Sequence, residues 1–108
     1  MAHRFDHRIR LDPAGAPLAK GPKATKDPPI FRIWVWVTQE KSKAAARGSM
    51  DFGNNPVAKW ECATTLMENS PRFESGPALG MAIALVKKGN GKEYFGWWDG
   101  DVVIIKPR

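Results

Sequence analysis

The residues best suited to chemistry are aromatic. Trp34, Trp36, Trp60, Tyr94, Phe95, Trp97 and Trp98 fall in stretches rich in β-formers, with Arg32, Lys59 and Lys92 in phase with some of them. An exposed indole offers a π-face on which any nucleobase can stack, and each such contact contributes about 1–3 kcal/mol. A neighbouring cation meets the phosphate. Interleaved aromatics and cations therefore suit single-stranded DNA or RNA held without base-specific readout. Arg32, Trp34 and Trp36 carry the pattern best, because they alternate along one side of a single strand. Two basic tips add to it. Lys41, Lys43 and Arg47 lie in one stretch, and Lys87, Lys88 and Lys92 surround Gly89-Asn90-Gly91. If both tips project from one end of a sheet, they form a patch that neutralises several phosphates.

A structural reading competes at each position. Tryptophans fill the core of a small two-layer β domain efficiently. Lysines near turns protect sheet edges from strand-to-strand aggregation.

Other chemistries find little support. Cys62 is the single cysteine, which excludes an internal disulfide, and the two histidines, His3 and His7, lie far from it at the N-terminus. A zinc set is thus out of reach, and KWECATT reads as strand with a core thiol. Asp99-Gly100-Asp101 offers two carboxylates at i and i+2, well short of a calcium loop. Glu61, Glu68, Glu74 and Glu93 are scattered over separate elements, with no acid/base pair legible. Neither a Walker-type GK[ST] nor a strand–GxGxxG–helix arrangement occurs. The RNP-type aromatic pattern of an RRM is also absent. The expectation is a non-enzymatic binding protein without metal or cofactor.

The elements that must position these residues follow from periodicity. Residues 30–39, IFRIWVWVTQ, alternate so that Phe31, Ile33, Val35 and Val37 share a core face, and Arg32, Trp34, Trp36 and Thr38 share the other. Residues 57–67 alternate likewise, with Ala58, Trp60, Cys62 and Leu66 on one side. Ala44–Ala46 read as one helical turn ending at Gly48. Residues 77–88, PALGMAIALVKK, fit either a helix capped by Gly89 or a strand. The tight Gly89-Asn90-Gly91 connection to the aromatic run 92–98 favours the strand. Asp99-Gly100 between two β-rich runs predicts a hairpin turn. Val102–Ile105 are apolar on both faces, which predicts a strand that is central or covered on both sides.

Residues 1–29 differ in kind. They hold five of the nine prolines, and the spacing disfavours regular structure apart from a short alternating run at 7–12. The chain of 108 residues carries a net charge of +6, divided equally between 1–29 and 30–108. The expected architecture is mainly β: about five antiparallel strands in a small barrel or sandwich over 30–108, after an extended Pro/Gly-rich basic arm over 1–29. The alternative is α+β with a helix at 77–88. Arg4, Arg8 and Arg10 are the expected arm contacts.

A basic balance favours acidic partners, with nucleic acid first. The alternatives are a structural subunit of a phage particle or other assembly, its arm laced onto neighbours, and a small phage-type inhibitor or adaptor. A homo-oligomer fits either. The charged N-terminus has no apolar core of a signal peptide, and no apolar run approaches about 20 residues. A cytoplasmic or virion-associated protein away from membranes is expected.

Overall fold

The computed structural model describes residues 5–21, 29–53, 55–87 and 93–107, with residues 87, 93–95 and 97 described by backbone alone. Eight strands form among the described residues: β1 (Arg8–Leu11), β2 (Pro17–Gly21), β3 (Arg32–Gln39), β4 (Ala44–Asp51), β5 (Trp60–Ala63), β6 (Thr65–Leu66), β7 (Gly76–Lys87) and β8 (Glu93–Ile105). They make one sheet in the order β5-β2-β1-β8-β7-β3-β4-β6, nearly closed into a barrel. Every pairing is antiparallel except β1 with β8. No helix occurs among the described residues, and none is long and apolar enough to cross a membrane. The mainly β expectation holds, with eight strands in place of five.

Alternation decides which side chains enter the barrel. Ile33, Val35 and Val37 of β3 point inward and are fully buried, as the sequence pattern requires. β7 contributes a small inward row, Ala78, Gly80, Ala82 and Ala84. The room this leaves is taken by two rings packed edge to face, Phe5 and Trp60, with centroids 5.4 Å apart. Phe5 rests on Gly80, where an added Cβ would come within 2.9 Å of the ring. Trp60 is 1% exposed, so this tryptophan is core rather than platform.

Several local readings give way to long-range pairing. The stretch around Ala44–Ala46 is strand, not helical turn, because all eight residues of β4 pair with β3. Asp99-Gly100 is no hairpin: β7 runs alongside without a break, and Asp99 and Gly100 lie opposite Ala82 and Met81 in mid-strand. β7 likewise shows residues 77–87 extended, which disposes of the helical alternative there. Val103 and Ile105 are buried, but Val102 and Ile104 stay exposed, so β8 is central in the sheet yet covered on one side only.

The N-terminal stretch also departs from the expected arm. Its described part, residues 5–21, supplies β1, β2 and the core residues Phe5, Ile9 and Ala19. Pro17 does not prevent this, because it is the first residue of its strand. Asp12-Pro13-Ala14-Gly15 turns the chain. Pro13 has the fixed φ that suits a turn's second position, and Gly15 takes φ +85°. Asp12 Oδ1 accepts from Ala16 N at 3.0 Å and closes the hairpin.

Candidate functional site

The outer face of β3 is where the expected binding residues meet. Its side chains alternate against the buried row, which leaves Arg32, Trp34 and Trp36 half-buried on the outside. Antiparallel register sets Arg47 of β4 directly across from Trp36, and Ser49 across from Trp34. Arg32 lies over the Trp34 ring, its guanidinium carbon 4.8 Å from the centroid. Its Nε is buried without a hydrogen-bond partner, so the ring's negative face supplies part of the solvation it has lost.

A wall converts this face into a groove. β6 pairs with Ala46 and Arg47, and the chain then continues along β4. Met67 N donates to Ala45 O at 2.9 Å, and Ala45 N donates to Ser70 Oγ at 2.9 Å. The result is an open groove of about 700 Å³, with Trp34 and Trp36 on one side and Thr65, Leu66 and Met67 on the other. Gly48 lies in its floor, where a Cβ would run into the Ala63 carbonyl oxygen at the point where β4 meets β5. Arg47 is exposed at the groove and has no ion-pair partner among the described residues. Glu68 also lines the groove, so its charge is mixed, with Arg47 as the cation of its lining and Arg32 beyond it over the Trp34 ring.

Among the described residues, the two lysine-bearing stretches lie apart. Lys41 and Lys43 are exposed in the turn between β3 and β4, past the Gln39–Ala44 pair. Gln39 anchors that turn from beneath. Its Nε2 donates to Glu74 O at 2.8 Å and Pro77 O at 3.2 Å, and its Oε1 accepts from Ser42 Oγ at 2.6 Å and Glu74 N at 2.9 Å. Lys41 Nζ reaches Ser75 O at 3.4 Å. The backbone of Lys87, by contrast, lies beyond the Arg32–Leu85 pair, at the opposite end of β3. Register thus sets Lys41 and Lys43 at one end of β3 and the Lys87 backbone at the other. Lys88 and Lys92 lie outside the described residues. Arg47, grouped with Lys41 and Lys43 in the sequence, belongs instead to the strand face beside Trp36.

Neither a family model, nor a curated protein, nor a solved structure matches this chain.

Two features escaped the sequence reading. Register extends the Ser49–Trp34 row across Ile83 to Trp98, which is 70% exposed. The signal was the phase of Trp98, legible only once β7 and β8 are paired in full. Around it Leu79, Met81, Val102 and Ile104 form an exposed apolar band on β7 and β8. Arg8 and Arg10 sit on the outer face of β1, remote from the groove, and Arg4 lies outside the described residues. Cys62 is buried, and burial pushes its thiol up to about 11. Such a thiol is a poor nucleophile at neutral pH. No group of three or more His, Cys, Asp or Glu suited to a metal occurs among the described residues.

Proposed function

We propose that this is a non-enzymatic protein that binds single-stranded DNA or RNA in the β3–β4 groove, stacking bases on Trp34 and Trp36 and meeting phosphates with Arg32 and Arg47. The observation that carries the reading is the pairing of Trp36 with Arg47 on an open outer face, next to Trp34 with Arg32 above it. Both indoles are partly exposed, although the barrel already has its large core rings in Phe5 and Trp60. Stacking and cation placement of this kind tolerate any base, so little sequence preference is expected.

The test is fluorescence anisotropy with labelled oligodeoxythymidylate and oligouridylate. Trp36→Ala should weaken binding by roughly 5- to 150-fold, the equivalent of losing one stacked base. Affinity should fall steeply between low and moderate salt. Binding absent at low salt, or unchanged in both Trp36→Ala and Trp34→Ala, overturns the reading.

A second reading rests on the apolar band of Leu79, Met81, Trp98, Val102 and Ile104. An assembly subunit would bury such a surface against a second copy of the chain, since aromatics and methionine are enriched at the cores of protein interfaces. The band itself carries no charge, so two basic copies can meet there without opposing cations. Light scattering after size exclusion distinguishes the two. A dimer that Val102→Lys dissociates, with no oligonucleotide binding, would replace the first reading by the second.

A further inference from the structure

A second cationic cluster lies on the far side of β7 and β8 from the groove. β1 pairs with β8 in parallel, Arg8 beside Ile104 and Ile9 beside Ile105. Lys106 N donates to Ile9 O at 2.9 Å, so the ladder continues past β8 and brings Lys106 level with Arg10. Ile9 points into the core, which sends Arg8 and Arg10 outward together, about 6.6 Å apart along the strand. All three cations are exposed, and none has an ion-pair partner among the described residues.

These residues rim a pocket of about 290 Å³ that is completed by Leu18, Lys20 and Glu61. The carboxylates are gathered on its β2 side. Glu61 lies opposite Lys20 in the β2–β5 ladder, and Asp6 Oδ2 is 3.7 Å from Lys20 Nζ. Lys20 is thereby offset, while the Arg8–Arg10–Lys106 side keeps its positive charge. Two guanidinium groups and an ammonium at strand spacing can each meet one member of a row of phosphates through their positive charge. Among the described residues no aromatic side chain lines this pocket, so none of them offers a face on which a base could stack.

We propose that Arg8, Arg10 and Lys106 form a separate site for a linear phosphate chain, held through its charge alone. Two sources supply this chemistry, a nucleic-acid backbone and free polyphosphate. The site stands or falls independently of the tryptophan groove.

The test uses the full chain and inorganic tripolyphosphate, followed by ¹⁵N–¹H correlation spectra at low salt. Saturable shifts are expected at the amides of residues 8–10, 18–20 and 104–106. The triple variant Arg8→Gln/Arg10→Gln/Lys106→Gln should bind tripolyphosphate at least tenfold more weakly while keeping a dispersed spectrum. Arg8→Lys/Arg10→Lys, which retains the charge, should stay within a few-fold of wild type and serves as the control should the triple variant fold poorly. Oligodeoxythymidylate then separates the sources. If it moves the same amides, and the triple variant flattens the log–log salt dependence by about 2, three single-strand phosphates are being met there. If only tripolyphosphate moves them, the occupant is free polyphosphate and the site still holds. The proposal is overturned if tripolyphosphate gives no saturable shift at millimolar concentration, if the shifts map elsewhere, or if charge removal at all three positions leaves affinity unchanged.

Discussion

Cys62 shows how a single residue reports on the core. It sits on β5 among Ala19, Trp60 and other buried side chains, and its thiol is held at about 11 against an ordinary 9.0 because the thiolate would be poorly solvated there. The folded state therefore keeps the proton more tightly than the unfolded chain. Below pH 9 both states are protonated and stability is unaffected. Between pH 9 and 11 the unfolded chain ionises first, so stability falls as pH rises. Urea midpoints measured across that window should drop more for wild type than for Cys62→Val, the difference isolating this thiol from tyrosine and lysine titration. Identical slopes would place Cys62 in contact with water. Gln39 makes the complementary point: its amide is buried, yet all its polar atoms are satisfied, so the polar group costs little and holds the β3–β4 turn in place.

At the scale of elements, strands whose partners are distant beat local signals. β3 was legible throughout, because its alternation of Ile33, Val35 and Val37 with Arg32, Trp34 and Trp36 matches both faces it presents. β4 was misread because alanine favours helix, a preference worth only tenths of a kcal/mol per residue and readily outweighed by a full ladder with β3. Asp99-Gly100 is a strong turn signal between strands, but a partner of twelve residues keeps the chain straight through it. The groove was half legible: Trp34 and Trp36 could be placed on one face, whereas Arg47 and the β6 wall depend on pairings between stretches far apart in sequence. Closure of the barrel is equally non-local. Gly48 is required where β5 crosses β4, because the obstacle is the Ala63 backbone and cannot rotate away. Gly48→Ala should destabilise the fold by about 1–3 kcal/mol. Gly100→Ala, with no atom nearer than 3.8 Å to the new carbon, should be close to neutral. Denaturant midpoints compare the two directly, and equal effects would refute the closure at β4 and β5.

At the scale of the molecule, the N-terminal stretch changes from appendage to structural part. Phe5 and Ile9 are each 1% exposed, Phe5 packs on Trp60 and Gly80, and β1 covers the edge that β8 would otherwise present. Its composition hid this, since prolines and glycines look alike in a loose tail and in a tight hairpin. Removing residues 1–12 deletes both core side chains, at about 2–5 kcal/mol each, and leaves β8 unpaired on one side. The truncated chain should lose its cooperative thermal transition or aggregate. A truncated chain with an unchanged midpoint would restore the arm. The same topology distributes charge over several faces: Arg47 at the groove with Arg32 over Trp34 beside it, Lys41 and Lys43 at one end of β3, and Arg8, Arg10 and Lys106 across β8.

The central claim is that the β3–β4 groove takes bases on Trp34 and Trp36, and the indole N–H resonances of the five tryptophans test it most directly. Titrating oligodeoxythymidylate at low salt should shift the Trp34 and Trp36 indole signals in a saturable manner and leave buried Trp60 unmoved. Unmoved Trp34 and Trp36 signals at saturating oligonucleotide, or shifts confined to other tryptophans, would contradict it.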